Sequence, residues 1–261
     1  MIPVLSGLGY RLARFLTRSD EEQETVATCS REALAAALQA GDILLIEGTS
    51  RISMAIKYIT QSTWSHAAIC IGEGPSETDS TDSEPQLIEA DVTEGVRKVS
   101  LSRYCHNHTR ICRHVGLSKQ EVQKVIDFMK ERIGYKYDLK NIFDLARYLI
   151  QTPPVPQKHR RRLLALGSGD PTRAICSSLI AQAFQSVKYP ILPNIDLDES
   201  SSKAAVKTQE EILHIRHHSL FAPRDFDVSP YFEIVKPSIL EGFDHHELKW
   251  AKENKPVRSQ N

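Results

Sequence analysis

Apolar residues along the chain fall into short continuous runs and into longer segments with the spacing of a helix. The runs DILLIE, HAAICI and LIEADV begin at residues 42, 66 and 87 and predict buried strands. Residues 50–61 and 118–134 place apolar side chains three and four positions apart, which predicts two amphipathic helices. Because both patterns alternate along one chain, we predict an α+β domain.

Specific residues mark the helix boundaries. Ser118-Lys-Gln-Glu121 is a capping box at the start of one helix, and Gly134 marks its end. Residues 20–40 predict another helix, in which good helix formers follow Ser30 and Gly41 marks the end. Weaker patterns predict further helices over residues 138–150 and 175–187, and further strands over residues 95–101, 109–115 and 231–235.

Three polar segments interrupt this pattern. Residues 73–86 are acidic without a basic residue, and we predict that they form a flexible hairpin connection. Residues 192–218 are irregular and predict an excursion over the surface. Residues 157–166 are basic and then apolar, which is typical of a solvated helix face and, as the alternative, of a contact with phosphate or lipid headgroups.

We divide the chain into a helical extension over residues 1–40, a catalytic domain over residues 41–240 and a charged tail over residues 241–261. Residues 2–18 carry apolar side chains on one helical face and three arginines on the other, a pattern that is compatible with peripheral membrane contact. The alternatives are a helix packed on its own domain and a dimer arm. No pattern in the sequence indicates an oligomeric state.

The composition excludes some functional classes. Of the 261 residues, 41% are apolar and 25% charged, as in ordinary globular proteins, and no apolar run is long enough for a transmembrane helix. Lys plus Arg and Asp plus Glu both count 33, so the basic excess of a nucleic-acid-binding protein is absent. No clear signal peptide begins the sequence, and we predict a cytoplasmic protein.

The 5 cysteines are odd in number and irregularly spaced, which favours unpaired thiols in a reducing compartment. No zinc-type CxxC pair is present. Although some histidines lie near two of the cysteines, no second cluster completes a ligand set, and we predict no metal site. These residues are His106, His108, His114, Cys105 and Cys112.

Cys176 is the one cysteine at the start of a predicted helix. A thiol there is acidified by the helix dipole, and the first N–H groups can hold an oxyanion. The competing helix start is Asp170-Pro171, which would place Cys176 deep inside the helix, and a cysteine there is more often a packing residue.

His66 opens an apolar strand, and Glu89 lies in the next one. If these strands pair, the carboxylate can fix the imidazole tautomer and stabilise the imidazolium. Asp91 lies on the same strand face as Glu89, and Asp91 and Glu94 are both alternatives for this role. A buried Glu89 would be costly without such a partner.

Several short segments occur in the order seen in a known family. The chain resembles the permuted NlpC-like, papain-fold cysteine hydrolases of the YiiX/YebB type over about residues 41–236. The segments that carry the resemblance are Gly41-Asp42-Ile-Leu, Ser65-His66-Ala-Ala-Ile, Ile88-Glu89-Ala, Gly134-Tyr135-Lys-Tyr137-Asp138, Ile175-Cys176-Ser-Ser-Leu-Ile and Ala222-Pro223-Arg-Asp225-Phe226.

The resemblance implies a circularly permuted papain-like fold, with an antiparallel sheet packed against helices. It also implies Cys176 as nucleophile, His66 as base and Glu89 as the orienting residue, and it favours a helix that starts near Cys176. We expect Tyr135 and Tyr137 to line the substrate cleft.

We add Trp64 and Ser65, which directly precede His66, to the predicted substrate-binding residues. The expected function is hydrolysis of an amide, ester or thioester in a small-molecule, lipid or peptide substrate. The expected route is an acyl-enzyme, without a metal or organic cofactor. The alternatives are an acyltransferase with the same intermediate and a non-catalytic lipid- or peptide-binding module.

Overall fold

The computed structural model describes residues 27, 29–75, 83–91, 93–136, 175–197, 211–214, 221–240, 242 and 244–247. The predicted membrane-contact helix, the helix over residues 138–150, the basic segment over residues 157–166 and Tyr137 lie outside these ranges. Within the described ranges, no helix has both the length and the apolar character that crossing a bilayer requires.

Six helices and eight strands follow one another in the described residues. The helices are α1 (Arg31–Ala37), α2 (Arg51–Thr60), α3 (Lys119–Lys130), α4 (Ile175–Ser186), α5 (Pro223–Asp227) and α6 (Pro237–Leu240), with short 3-10 turns at Leu101–Tyr104 and His245–Glu247. The strands are β1 (Ile43–Ile46), β2 (His66–Pro75), β3 (Ser83–Asp91), β4 (Gly95–Ser100), β5 (Thr109–His114), β6 (Asn194–Leu197), β7 (Glu211–His214) and β8 (Phe232–Val235).

The main sheet has six strands in the order β4-β3-β2-β1-β5-β8, and every neighbouring pair is antiparallel. Its central strand β1 is buried along its whole length, as its unbroken apolar run predicted. The predicted antiparallel sheet is therefore confirmed.

Alternate side chains of the sheet enter two separate cores. Ile43 and Leu45 face a core shared with α3 and α4, which contribute Met129 and Phe184 among others. Leu44 and Ile46 face the opposite core, which α1 covers with Leu34. The sheet therefore has helices on both faces. Helix α4 packs directly against the face that carries Ile43 and Leu45.

Polar side chains cap three of the helices. Of the helix predicted over residues 20–40, the described residues form a helix only over Arg31–Ala37. Ser30 and Ser50 accept hydrogen bonds from backbone N–H groups in the first turns of α1 and α2. Ser118 and Glu121 form the predicted capping box of α3.

The predicted connection over residues 73–86 is wrong at both ends. Strand β2 continues to Pro75 and β3 already begins at Ser83, so the hairpin is longer than expected. Glu84 is only 4% exposed because Arg31 and the backbone and side chain of Ser102 bind its carboxylate. The acidic sequence predicted a loop at Glu84 because the partners that neutralise its carboxylate lie far away in sequence.

Two smaller features also differ from the expectation. Residues 192–218 were predicted to be irregular, but β6 and β7 pair within them as a separate two-stranded antiparallel sheet. The short helix α5 was not predicted. Its first turn contains Pro223, and the Asp225 carboxylate accepts a hydrogen bond from the Ala222 N–H.

Candidate active site

The antiparallel register of β2 and β3 brings His66 and Glu89 together. Ala68 is the direct partner of Glu89, so His66, two residues earlier, lies diagonally across on the same face. The Nε2 atom of His66 is 2.6 Å from Oε2 of Glu89. This hydrogen bond leaves Nδ1 of the imidazole for another partner.

The two alternative carboxylates have other partners. Oδ1 of Asp91 accepts hydrogen bonds from the Thr93 and Glu94 N–H groups at 2.7 and 2.9 Å, so Asp91 closes the turn between β3 and β4. Glu94 is largely exposed and forms an ion pair with Arg97. The geometry therefore favours Glu89 over both as the partner of His66.

Glu89 is a buried charge with donors on both carboxylate oxygens. It is 1% exposed, and Arg97 donates to Oε1 at 2.8 Å from the facing position of β4. The Tyr104 hydroxyl donates to Oε2, the oxygen that His66 also binds. The Nε atom of Arg103 lies 3.9 Å from Oε1.

These donors decide the ionisation of Glu89. Burial alone would raise its pKa, but the hydrogen bond and charge of His66, the Tyr104 hydroxyl and the charge of Arg97 lower it from 4.5 to about 2. The carboxylate is therefore ionised throughout the neutral range and can compensate a positive imidazole.

Cys176 is the second residue of α4 as the structure describes this helix. It is 4% exposed and packs in the core between the helix and the sheet. Its sulfur interacts with the His66 imidazole and accepts a hydrogen bond from the Ala67 N–H, and Oγ of Ser177 lies 3.9 Å away. The competing start at Asp170 lies outside the described residues.

The thiol and the imidazole stabilise each other's charged form. Burial opposes ionisation of Cys176, yet the charge and the hydrogen bond of His66 lower the pKa of the thiol below its ordinary value of 9.0. Burial likewise disfavours the imidazolium, but Cys176 and then Glu89 raise the pKa of His66 to about 10. The arrangement favours a thiolate–imidazolium pair.

Trp64 and Ser65 are buried and bound by other parts of the protein. The Trp64 indole stacks on His108 with ring centroids 5.0 Å apart and donates from Nε1 to Asp227 at 3.0 Å. Oγ of Ser65 accepts from the Gly48 N–H at 2.9 Å. These contacts hold the chain that enters β2, and direct contact with a substrate stays a prediction for both residues.

Tyr135 lies beside the first residues of β4. Its carbonyl accepts a hydrogen bond from the Val96 N–H at 2.9 Å, and Tyr135 is 62% exposed. A Cβ atom on Gly95 would lie 2.3 Å from that carbonyl, so glycine permits this close approach. Tyr135 is thus available to a bound molecule, whereas Tyr137 lies outside the described residues.

Sequence reasoning missed Arg97 and Tyr104. Arg97 was detectable in principle, since pairing of β3 with β4 through the turn after Asp91 places it opposite Glu89. Tyr104 lies on a 3-10 turn that had no periodic signal. Its proximity to Glu89 depends on the folded structure and not on a local sequence pattern.

The site contains no cluster of metal-ligand type among the described residues. One such cluster occurs elsewhere, where Asp244, His245 and His246 bring ligand atoms within 4.8 Å of one another on the surface. All three are exposed, and none of them contacts the His66 site within the described contacts. The described cysteines form no disulfide.

Comparison with known protein families finds a match over part of this chain. The family described as "Permuted papain-like amidase enzyme, YaeF/YiiX, C92 family" matches residues 37–148. This segment contains His66 and Glu89 and ends before Cys176. The expected resemblance is thereby confirmed, and the antiparallel sheet packed against helices agrees with the expected papain-like fold class.

A crystal structure described as metalloprotein YiiX from Escherichia coli O157:H7 is also similar. It aligns with a TM-score of 0.44 and 17% sequence identity, and the alignment covers 77% of this chain and 97% of that chain. No curated protein sequence matches this chain.

Proposed function

We propose that this chain is a thiol amidase with Cys176 as nucleophile, His66 as acid–base and Glu89 as orienting residue, because the permuted papain-like amidase family YaeF/YiiX, C92 matches residues 37–148. One observation carries this proposal. Cys176, the second described residue of α4, interacts with an imidazole whose Nε2 atom lies 2.6 Å from a buried carboxylate oxygen of Glu89. This is the constellation that nucleophilic acyl transfer requires.

The first chemical step is attack of the Cys176 sulfur on the carbonyl carbon of an amide. A carbon–sulfur bond forms, and the carbonyl electrons move to oxygen. N–H groups at the start of α4 are suited to bind this oxyanion, and one such donor is typically worth about 3 kcal/mol in the transition state. His66 then gives its proton to the leaving nitrogen as the carbon–nitrogen bond breaks.

The second step hydrolyses the resulting thioester. The neutral imidazole of His66 accepts a proton from water, the hydroxyl adds to the acyl carbon and the thiolate leaves. Glu89 keeps Nε2 protonated throughout, so that Nδ1 serves as the acid and the base. The cycle returns the pair to its starting state without a cofactor.

The proposal also covers substrates other than amides. Ester and thioester substrates follow the same route, and an alcohol or amine in place of water would make the protein an acyltransferase. The segments that suggested lipids, residues 2–18 and 158–162, lie outside the described residues. A binding module without catalysis is the remaining alternative, and the paired charges of His66 and Cys176 argue against it.

Turnover of acyl amides, esters and thioesters by the intact chain tests the proposal. We expect Cys176→Ala and Cys176→Ser to lower turnover about a thousandfold or more, because no acyl-enzyme can form or be released efficiently. His66→Ala should cause a comparable loss. Mass spectrometry of the quenched wild type should find the acyl group on Cys176.

Cys29→Ser is the matched control, since it removes a thiol that the mechanism does not use. Wild-type turnover in Cys176→Ala would refute the nucleophile. Added amine that captures the acyl group in preference to water would identify an acyltransferase and leave the same triad in place.

A further inference from the structure

One carboxylate oxygen of Glu89 serves two hydrogen-bond donors. Oε2 accepts from Nε2 of His66 and from the hydroxyl of Tyr104. The other oxygen, Oε1, is occupied by Arg97. Arg97 thus neutralises the carboxylate, whereas Tyr104 acts on the atom that holds the imidazole.

We propose that Tyr104 is a positioning residue of the thiol site. Its hydroxyl fixes Oε2 of Glu89 and weakens the hydrogen bond that this oxygen accepts from His66. This inference rests on the proposed function, because it assigns Tyr104 a role in the proton transfers of His66. Tyr104 acts through Glu89 and takes no part in the covalent step.

The 3-10 turn that carries Tyr104 is held by contacts that do not involve Glu89. This turn is anchored by fully buried Leu101 and by Ser102, whose N–H and hydroxyl bind Glu84. The ring centroid of Tyr104 lies 6.1 Å from that of His66. The hydroxyl is therefore presented to Glu89 by a fixed element, as a positioning group must be.

The hydroxyl stays a donor under all relevant conditions. Burial, together with the charge of Glu89, raises the pKa of Tyr104 well above 10.0, so the phenol keeps its proton. A donor on Oε2 takes up part of the electron density that would otherwise strengthen the bond to His66. The imidazolium consequently releases its proton more readily to a leaving group.

Other charged groups face the same pair, and the test must hold them constant. They are Cys176 from α4, Arg97 from β4, Arg103 from the 3-10 turn, and Asp91 and Glu94, which act through Arg97. Of these groups, Cys176 raises the pKa of His66 the most. Removal of its thiol should therefore lower the pH at which the imidazole titrates.

The direct test is NMR titration of His66 in full-length Cys176→Ala protein labelled at histidine, with the resonance assigned by His66→Gln. Adding Tyr104→Phe should raise the His66 midpoint by about half a unit to one unit, since Oε2 then serves the imidazole alone. Tyr189→Phe is the matched control. It removes a hydroxyl that binds Val115 and Tyr231, and it should leave the midpoint unchanged.

A second variant guards against failure of Tyr104→Phe to fold. Fluorotyrosine at position 104 keeps the ring and makes the hydroxyl a stronger donor, so the His66 midpoint should fall. In the Cys176 protein, Tyr104→Phe should lower kcat several-fold with little change in KM, because the hydroxyl binds Glu89 and not substrate.

An unchanged His66 midpoint in both variants, or shifts of the opposite sign, would overturn the role of Tyr104. The titration needs no turnover, so its failure is separate from failure of the proposed function. Full activity of Cys176→Ala would refute the nucleophile whatever Tyr104 does.

Discussion

Glu89 carries a negative charge that is almost completely removed from water. Such a charge is costly unless it is neutralised and hydrogen-bonded, and here His66, Arg97 and Tyr104 provide both. The same contacts orient the His66 ring. One residue therefore links the stability of the fold to the chemistry of the site.

Acid unfolding should reveal this link. The folded state lowers the pKa of Glu89 from 4.5 to about 2, so between these values the unfolded chain binds more protons. The stability that Glu89 contributes is therefore present above pH 4.5 and is lost as pH falls toward 2.

In Glu89→Gln, the free energy of unfolding should fall less steeply with acid over this interval than in the wild type, as measured by urea denaturation at each pH. Glu131→Gln removes a carboxylate whose side chain is 74% exposed, and its slope should match the wild type. Equal slopes in Glu89→Gln and the wild type would show that the carboxylate is not perturbed in the folded state.

Three elements determine the geometry of the site. β2 begins at His66, β3 carries Glu89 diagonally across from it, and α4 carries Cys176 as the second of its described residues. The chain that enters β2 is fixed by Trp64, which is stacked on His108 and bound to Asp227. Arg110 also binds Asp227, at 2.5 Å, so β5 and α5 brace the entry to β2 together.

Trp64→Phe should therefore affect the site as well as stability. It removes the hydrogen bond to Asp227 and part of the stacking area, at a cost of roughly 2 kcal/mol. We expect alkylation of Cys176 and turnover to fall several-fold, because the His66 end of β2 is less firmly held.

Phe232→Leu is the comparison variant for Trp64→Phe. Phe232 packs in the same core but makes no described contact with the His66 site, so it should lower stability by a similar amount without changing Cys176 reactivity. Equal reactivity in the two variants at a temperature where both are folded would contradict the bracing role of Trp64.

At the scale of the whole molecule, two cores on opposite faces of one sheet make the site possible. The core on the α4 side encloses Cys176, and the core on the α1 side supports the strands that carry His66 and Glu89. Cys176 can thus meet His66, which precedes it in the chain, in the folded molecule.

The hydrophobic pattern predicted most of this framework. β1, α2 and α3 were recognisable because their period or length is distinctive. The weaker pattern of α4 predicted a helix with Cys176 near its start. The hydrogen bonds of Tyr104 and Glu84 were not predictable, since they depend on the approach of distant segments. The pairing of β6 with β7 was hidden by polar residues that form strands only when paired.

The same packing gives the cysteines opposite chemical properties. Burial raises the pKa of Cys70 to about 11 and raises that of Cys112 further, because neither has a cationic partner that outweighs desolvation. His66 lowers the pKa of Cys176 in an equally buried place. Cys29 and Cys105 are more accessible than Cys176.

Alkylation of the native protein by iodoacetamide at about pH 6, with peptide mapping, tests the thiolate–imidazolium pair most directly, since ordinary thiols are protonated and slow there. We predict that Cys176 reacts faster than the more exposed Cys29 and Cys105, and that His66→Ala abolishes this selectivity. Uniformly slow alkylation of all 5 cysteines, or selectivity that survives His66→Ala, would contradict the activated thiol on which the account depends.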